Sequence, residues 1–408
     1  MSRIRILQNL DLPFLVTAIV LILIGLLAIY SATLIGGTEA SSFKFSKQLI
    51  WFFMGLVALT TAAFLPLRLY HKHAYNLYAL SISLLVLVLV AGTGIATRRW
   101  LSVGPLWLQP SEIAKISTIL ALAKYLSHRH RNLNNLKEFI IALSIGLLPF
   151  ILIMKQPDLG SALVFVALIL PMLHWAGLSP VILFVVIAPF ISLMSAFNYY
   201  TFFFAMVALC LLLFFLQRGV RFFIINFLIN ISVGVLTPVL WGMLKGYQQN
   251  RILSFLGLVT DPHGLGYQVI QSKVAIGSGG LMGKGFLDGT QTHLRFLPEQ
   301  HTDFIFCVIG EEFGFIGVLI TLLLFFYLIY KGLKISTTVK SKFTSLLVFG
   351  AVIVFMFQVF VNIGMTVGIM PVTGLPLPFL SYGGSSLLTN MLVIGIVLNT
   401  SRKRFDYI

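Results

Sequence analysis

Charged residues are scarce in this 408-residue chain: they make up 10% of it, and only 12 residues are acidic. Long polar stretches are also lacking, since 58% of the residues are apolar and the mean hydropathy is +0.99. This composition excludes an ordinary soluble domain and predicts a polytopic membrane protein. The net charge of +16 comes mainly from cations in short loops between apolar runs, so we expect no nucleic-acid partner.

Cysteine is almost absent, and Cys210 and Cys307 both lie in apolar segments. They are predicted to be small buried side chains, which excludes a disulfide framework and a zinc site. The HExxH zinc motif and the G-x-S-x-G nucleophile elbow are missing too. The run GSGGLMGKG at 277–285 is not a phosphate loop, because Ser278 replaces its first glycine and Gly285 its Ser/Thr. Its glycines indicate either backbone N–H donors for a phosphate or a flexible loop.

Apolar segments recur along the chain, each close to the length of about 20 residues that a helix needs to cross ~30 Å of hydrocarbon. Helices are expected because a membrane segment must satisfy its own backbone polar groups. The predicted fold is an all-α polytopic bundle that forms one integral membrane domain over 1–408. The first span is predicted to be retained, because no small-residue cleavage site of a signal peptide follows it. The twelve predicted spans are 12–34, 48–65, 74–92, 110–126, 138–154, 159–175, 180–197, 200–216, 222–244, 302–330, 343–365 and 384–400.

Lys and Arg residues outside the spans are unevenly distributed. With both termini cytoplasmic, the inner loops hold 17 of them and the short outer loops hold 5, apart from those in the long loop. The positive-inside rule therefore predicts cytoplasmic termini and an external loop at 246–301. Most acidic residues lie in or beside outer loops, which indicates chemistry or cation binding at the outer face. Ordinary solvated loop acids are the alternative.

The 246–301 loop is the one long interruption of the apolar pattern, and we predict that it is a catalytic loop. It contains Asp261 and Lys284 among many glycines. Its end is polar: Glu299 and His301 lie in the turn that leads into the tenth predicted span, followed by Asp303. Asp303 falls within that span, and charged groups inside a membrane helix are costly and usually functional.

Smaller polar clusters are predicted to lie beside this loop. Glu112 and Lys115 are three residues apart on one helix, where they either serve a site or form a structural ion pair. Arg99 precedes that helix, and Asp158 begins another, where an acid also complements the helix dipole. The segment PVTGLPLPFLSYGGSS at 371–386 is too broken for a span and is predicted to be a turn or re-entrant loop.

These motifs resemble the SEDS family (shape, elongation, division and sporulation), membrane glycosyltransferases that polymerise lipid-linked peptidoglycan precursors. The resemblance rests on DPHGLGYQVIQSKVAIGSGGLMGKG, FLPEQHTDFIFCVIGEEFGFIG, RRWLSVGPLWLQPSEIAK, QPDLGSA and LPFLSYGGSS. The Gly-Thr-Gln at 289–291 is more similar to the elongation member, which determines rod shape, than to the division member. Members usually have ten spans, so the resemblance implies two surplus helices among 180–197, 200–216 and 222–244.

The resemblance also implies a reaction and a site. Lipid II units would be joined into β-1,4 glycan strands at the outer face of the bacterial cytoplasmic membrane, beside a class B penicillin-binding protein. Asp261 matches the family's catalytic acid and is predicted to be the general base. No soluble cofactor is expected, although a divalent cation such as Mg or Mn would suit the diphosphate. The predicted substrate-binding residues are Arg99, Glu112, Lys115, Asp158, Lys284, Glu299, His301, Asp303 and Ser381.

Two other functions fit a protein of this composition. A flippase or solute transporter predicts ionisable groups near helix midpoints and inverted repeats, neither of which is visible in the sequence. A non-catalytic scaffold for the penicillin-binding protein would leave the grouped loop acids without a purpose. Polymerisation is therefore the predicted function.

Overall fold

A computed structural model describes residues 11–34, 39–92, 99–103, 106–128, 133–216, 219–244, 265–293 and 299–404, with single residues at 246, 249 and 253. Within these ranges the chain forms fourteen helices and one short hairpin, which confirms the all-α prediction. The elements are α1 (Leu12–Leu34), α2 (Glu39–Phe64), α3 (Leu67–Ala91), β1 (Leu101–Val103), β2 (Leu106–Leu108), α4 (Pro110–Ser127), α5 (Leu136–Lys155), α6 (Leu159–Trp175), α7 (Pro180–Ser195), α8 (Tyr199–Phe215), α9 (Val220–Gly242), α10 (Leu265–Ser278), α11 (Thr290–His293), α12 (Ile305–Thr338), α13 (Lys342–Thr366) and α14 (Gly384–Arg402).

Each of the twelve predicted spans corresponds to one of these helices. Eight helices in the described ranges are long and apolar enough to cross a membrane, and α6, α7 and α8 are apolar but have 16 or 17 residues. Helix α4 is less apolar because it carries Glu112, Lys115 and Lys124. The protein is therefore a multi-pass membrane protein, and the number of twelve crossings stays a prediction. Helices α10 and α11, inside the predicted external loop, were not predicted.

Side-chain caps explain several helix starts. The side chains of Asn135, Asp158 and Asn198 each accept a hydrogen bond from a backbone N–H group in the first turn of the helix that follows. Ser179 does the same for α7, whose first residue is Pro180. Such caps satisfy N–H groups that have no partner within the helix. They fix the helix boundaries in a chain whose apolar periodicity is weak.

Helices α13 and α14 form the centre of the bundle and are its most buried spans. Helix α13 packs against α4, α6, α12 and α14, while α14 packs mainly against α2. Helices α1, α3 and α5 complete the bundle and expose apolar faces of the kind that lipid covers. Cys307 is buried and Cys210 partly buried, and neither forms a disulfide, as predicted.

Helices α7, α8 and α9 form a separate three-helix unit at the edge of the bundle. They pack on one another around Ala188, Met206, Leu209 and Leu213, and their principal contact with the bundle is through α6. An interhelical hydrogen bond of 2.7 Å runs from Ser192 Oγ to Asn230 Oδ1. The surplus helices implied by the family resemblance were predicted in this region.

The segment from 371 to 383 is non-helical and packs against the bundle, which confirms the prediction that it does not span. Two glycines allow its backbone to approach closely. A Cβ on Gly25 of α1 would lie 2.6 Å from Leu380 Cα, and one on Gly160 of α6 would lie 2.6 Å from the Thr373 carbonyl oxygen. The end of the bundle at which this segment lies is called the outer end, following the predicted orientation.

Candidate active site

A groove of about 710 Å³ lies at the outer end, between α2, the β1–β2 hairpin and the 371–383 segment. Its wall on α2 consists of side chains spaced at i, i+4, i+7 and i+11, which share one helix face. Three of the five tryptophans of the chain line the groove, so it is aromatic and largely apolar, with one ammonium group. The lining residues are Phe43, Lys47, Ile50, Trp51, Met54, Trp100, Trp107, Thr302, Tyr382, Gly383 and Gly384.

Polar groups of the 299–303 turn lie beside this groove. His301 Nε2 is 3.1 Å from Lys44 Nζ and 4.0 Å from Glu299 Oε2. Burial and the Lys44 charge lower the pKa of His301 from its ordinary value, against the opposite effect of Glu299. Burial also raises the pKa of Tyr382, whose ring lies 5.5 Å from the imidazole. Both side chains are thus neutral at neutral pH and can donate or accept hydrogen bonds.

Hydrogen bonds tie the 299–303 turn to the 371–383 segment. Ser381 Oγ donates to the Thr302 carbonyl oxygen at 2.6 Å and accepts from the Leu377 N–H at 2.8 Å. The Asn362 side-chain amide donates to the carbonyl oxygens of Asp303 and Leu375. Ser381 therefore holds the backbone of the groove wall in place, and its predicted contact with substrate stays a prediction.

Arg99, which precedes the β1–β2 hairpin and α4, lies close to Asp158, which follows α5. Their closest charged atoms, Arg99 Nη1 and Asp158 Oδ1, are 3.7 Å apart, and Arg99 also donates to the carbonyl oxygens of Gln156 and Pro157. Asp158 is buried and accepts from the Ser161 N–H as a helix cap. The carboxylate thus complements the helix end and also orients the guanidinium of Arg99, whose side chain is 30% exposed.

Glu112 and Lys115 form a buried ion pair in the first turns of α4. Lys115 Nζ donates to Glu112 Oε1 at 2.8 Å, and Thr389 Oγ1 of α14 donates to Glu112 Oε2 at 3.1 Å. A cavity of about 10 Å³ adjoins the pair. Removing one partner of a buried pair leaves an uncompensated charge, so the two residues depend on each other. The structure confirms the predicted i,i+3 pairing and does not separate the structural role from the functional one.

Lys284 is held by Glu311, which is not among the predicted substrate-binding residues. Glu311 is fully buried in α12 and accepts five hydrogen bonds, all of them from the segment 284–292. The donors are Lys284 Nζ at 2.8 Å, Thr290 Oγ1 at 3.2 Å, Gln291 N at 2.8 Å, Thr292 N at 3.0 Å and Thr292 Oγ1 at 2.7 Å. This carboxylate therefore fixes the second half of the predicted catalytic loop. Its charge within a predicted span was the signal available in the sequence.

The glycine-rich run fills a break in α12. Gly314 has φ 62° and ψ −158°, so the helical hydrogen bonds across it are lost. The N–H groups of Phe315 and Ile316 donate to the carbonyl oxygens of residues 280 and 281, at 2.9 and 3.2 Å. In return, the N–H groups of Lys284 and Gly285 donate to the carbonyl oxygens of residues 311 and 312, at 3.0 and 3.1 Å.

This exchange explains why the run is glycine-rich. A Cβ on Gly283 would lie 2.1 Å from the Glu312 carbonyl oxygen, and one on Gly279 would lie 2.0 Å from the Gly310 carbonyl oxygen. Side chains would therefore prevent the two backbones from meeting. The N–H groups of Gly279, Gly280, Gly283 and Gly285 all donate to backbone carbonyl oxygens, so the interpretation of these glycines as phosphate donors is wrong. Gly279 and Gly283 permit close packing, and the backbone hydrogen bonds of the run do not fit a flexible loop.

Asp261, the predicted general base, lies outside the described residues. Helix α10 begins four residues later at Leu265 and packs on α12 and α13, with a 2.7 Å hydrogen bond from Ser272 Oγ to the Thr366 carbonyl oxygen. Among the described residues, no group of three or more His, Cys, Asp or Glu side chains is arranged to hold a metal ion. The roles of Asp261 and of a divalent cation stay predictions.

Comparison with known sequences identifies a family and named relatives. A family model described as cell cycle protein, FtsW/RodA/SpoVE, matches residues 11–203 and 180–405. The chain is 38% identical over 387 residues to the peptidoglycan glycosyltransferase MrdB of Escherichia coli (strain K12), covering 94% of this chain and 92% of that protein. It is 34% identical to the peptidoglycan glycosyltransferase RodA of Treponema pallidum (strain Nichols), covering 98% and 100% of the two chains.

Solved structures show the same fold. One similar chain belongs to a structure described as the structural coordination of polymerization and crosslinking by a peptidoglycan synthase complex. It is 31% identical, has a TM-score of 0.74 and covers 97% of this chain and 99% of its own. The crystal structure of the Thermus thermophilus rod shape determining protein RodA is 26% identical, with a TM-score of 0.64 and coverage of 97% and 98%.

Proposed function

Since this chain belongs to the FtsW/RodA/SpoVE family of cell cycle proteins and is a peptidoglycan glycosyltransferase, we propose that it polymerises lipid II for cell-wall elongation. In this reaction a sugar hydroxyl of one lipid-linked disaccharide-peptide attacks the anomeric carbon of another. A base takes the hydroxyl proton, and the bond to the polyprenyl diphosphate breaks with its electron pair on the phosphate oxygen. The product is a β-1,4 linkage formed with inversion.

The groove on α2 is the observation that supports a lipid-linked substrate. Phe43 and Met54 mark the ends of its wall, eleven residues and thus roughly 16 Å apart along the helix axis. Such an apolar surface suits a polyprenyl chain that remains in the bilayer. The polar rim with Lys44, Lys47 and His301 suits an anionic headgroup at the membrane surface.

Two cations outside the groove lining are fixed in the manner that transition-state stabilisation requires. Lys284 is held by Glu311 and Arg99 by Asp158, and their side chains remain 26% and 30% exposed. Preorganised cations stabilise charge that develops on a leaving diphosphate, with or without a divalent cation. Lys115 is buried against Glu112, so its contact with a diphosphate requires the bundle to open. Asp261 is proposed as the base, a role worth ~10²–10⁴-fold in rate.

The proposed partner is a class B penicillin-binding protein. A similar chain is part of a peptidoglycan synthase complex that coordinates polymerization and crosslinking, which supports this assignment. The proposed location is the bacterial cytoplasmic membrane with both termini in the cytoplasm, supported by the 17 to 5 distribution of Lys and Arg between inner and short outer loops.

The test is glycan polymerisation by the purified protein with its partner on lipid II. Asp261→Asn is compared with Asp288→Asn, which changes an exposed acid of the same loop. We expect polymer from the native protein and from Asp288→Asn, and none from a folded Asp261→Asn protein. Normal polymer from Asp261→Asn would move the base elsewhere. Failure of every protein to polymerise, with lipid II translocation in liposomes, would favour a flippase, and failure of both activities would favour a scaffold.

A further inference from the structure

Buried polar atoms without a hydrogen-bond partner are concentrated between two helices. Among the described residues, eight buried side-chain nitrogen or oxygen atoms have no partner, and five of them lie on α4 and α13, which pack against each other. Leaving such atoms unpaired in a dry interior costs free energy for each of them. Their concentration on two helices that pack together therefore points to small ligands that hydrogen-bond to them in turn. The five atoms are Ser111 Oγ, Thr118 Oγ1, Gln358 Oε1, Gln358 Nε2 and Asn362 Oδ1.

Helical spacing places these residues along one seam. Ser111, Lys115 and Thr118 are spaced i, i+4 and i+7 on α4, and Gln358 and Asn362 are spaced i and i+4 on α13. We call these five residues the polar seam. Every member except Lys115 carries an unpartnered atom, and Lys115 carries the ammonium of the buried ion pair.

The residues that line the small cavity beside Glu112 and Lys115 show how the two helices face each other. Its walls bring Lys115 and Ile119 of α4 next to Val354 and Phe355 of α13. One turn from Phe355 towards the outer end, α13 carries Gln358, and the following turn carries Asn362. The cavity volume of about 10 Å³ is close to the minimum that holds one water molecule.

The outer end of the seam reaches the surface groups of the site. Asn362 Nδ2 donates to the carbonyl oxygens of Asp303 and Leu375, which belong to the segments around the groove. Ser111 lies in the first turn of α4, two residues after Gln109, whose side chain donates to Asp158 Oδ2 at 3.4 Å. The seam thus extends from the groove region to the buried ion pair.

We propose that the polar seam is a water-binding path that hydrates the Glu112–Lys115 pair from the outer end. Water is the ligand that suits a hydroxyl acceptor, an amide donor and an ammonium group in one narrow space. The path lowers the cost of holding the Glu112–Lys115 pair in an otherwise dry interior. Gln358 is then a positioning residue, because it acts on the ion pair through bound water and touches no substrate.

The path is tested by the reaction of single cysteines with silver ion, which is small enough to follow water. Cys210 and Cys307 are first replaced by serine and alanine, which leaves a chain without cysteine. Thr118→Cys and Gln358→Cys are compared with Val359→Cys, which is buried one residue away on α13 in the apolar core. Free thiols are counted after denaturation, and the exposed Met282→Cys gives the rate for open water.

We expect the two seam cysteines to react at least about tenfold faster than Val359→Cys, because the reactive thiolate forms only where water reaches the thiol. Gln358→Met should slow the reaction of Thr118→Cys, since the bound water loses a partner. Equal, slow reaction of all three buried cysteines would overturn the path. This measurement does not depend on the proposed general base.

Polymerisation provides the second measurement, and it rests on the proposed function. Gln358→Met is expected to lower polymer yield about tenfold, the size of one lost hydrogen bond to a charged group, while the folded protein gains thermal stability. If Gln358→Met fails to fold, Thr118→Val takes its place. Unchanged polymerisation by a folded variant would show that the water does not position the pair. Loss of activity in both Asp261→Asn and Gln358→Met would support both proposals. Because the silver reaction does not depend on polymerisation, fast reaction of the seam cysteines in a protein that makes no polymer would mean that only the proposed function fails.

Discussion

His301 illustrates, at the scale of single residues, how neighbours set the properties of a side chain. It lies between Lys44 and Glu299 at the groove rim, and its backbone carbonyl oxygen accepts from the Tyr382 N–H at 2.9 Å. Its imidazole is therefore fixed by groups from α2 and from the 371–383 segment. Because burial and Lys44 favour the neutral ring, its protonation opposes folding.

The lowered pKa of His301 predicts a pH dependence of stability. Between the folded pKa and the ordinary value of 6.5 the unfolded chain binds more protons, so the free energy of unfolding falls as pH falls through this window. Thermal unfolding in detergent at pH 5 to 8 measures this slope. His301→Gln should flatten it, whereas His73→Gln, at an exposed position on α3, should not. An equal slope in wild type and His301→Gln would contradict the assignment.

Replacing Glu311 tests the anchoring of the 284–292 segment. In Glu311→Gln one carboxylate oxygen becomes an NH₂ group that faces donors, so we expect a loss of about 2–3 kcal/mol in stability and faster proteolysis within 284–292. Glu299→Gln is the matched control, because its side chain is exposed and should change stability by no more than about 0.5 kcal/mol. Unfolding temperatures and cleavage rates report both effects. Similar behaviour of the two variants would remove Glu311 from this role.

At the scale of elements, α12 consists of two helical parts, and a loop from elsewhere in the chain packs into the break between them. Residues 305–313 and 315–338 are separated by Gly314, and the loop 280–285 supplies the hydrogen bonds that the break removes. Broken helices occur in membrane proteins where neighbouring protein satisfies the backbone. The break joins the predicted catalytic loop directly to a membrane helix.

Gly314→Ala should destabilise the protein. The backbone there has φ 62° and ψ −158°, and an added Cβ would lie 2.3 Å from Gly283 N, so we expect a loss above about 2 kcal/mol. Gly277→Ala, in α10 with no atom within 4 Å of the added Cβ, should be neutral or stabilising by up to about 1 kcal/mol. Thermal unfolding of both variants decides the point. A harmless Gly314→Ala would show that the break is not a required conformation.

Most of the element pattern was predictable from the sequence, because long apolar runs in a membrane chain leave helices as the main option. Helices α10 and α11 were missed because they are short and lie in a polar loop. The i,i+3 spacing of Glu112 and Lys115 was enough to predict their contact. The contact between Arg99 and Asp158 and the anchoring by Glu311 depend on how distant segments pack. A single sequence carries little information about such packing.

At the scale of the whole molecule, the α7–α9 unit is attached to the bundle mainly through α6. The site groups that the structure describes lie on the bundle, on α2, α4, α6, α12 and the segments around them. The three-helix unit is therefore able to loosen without moving these groups. Its internal hydrogen bond between Ser192 and Asn230 is the natural place to test this independence.

Asn230→Leu should loosen the three-helix unit and spare polymerisation. Interhelical hydrogen bonds in membrane proteins average about 0.6 kcal/mol, so the expected loss in stability is of that order. Hydrogen exchange of α7–α9 should rise, while exchange of α13 and the polymer yield stay at wild-type values. Asn362→Leu, which removes the bonds to the Asp303 and Leu375 carbonyl oxygens, is the contrasting variant and should lower activity. A drop in polymer yield with Asn230→Leu would show that the unit is coupled to the site.

The exchange of hydrogen bonds at Gly314 has a consequence for mutational tolerance. The four backbone bonds between 280–285 and α12 use main-chain atoms only, and Lys284 adds a side-chain bond to Glu311, so the side chains at 281 and 282 do not enter the attachment. Leu281 and Met282 are 71% and 78% exposed, and they are free to vary in size and polarity. In a saturation library selected for growth, positions 281 and 282 should accept most residues while positions 279, 283 and 314 accept glycine alone. Selection at this junction therefore acts on the path of the backbone, and the positions that tolerate only glycine would mark that path in the library.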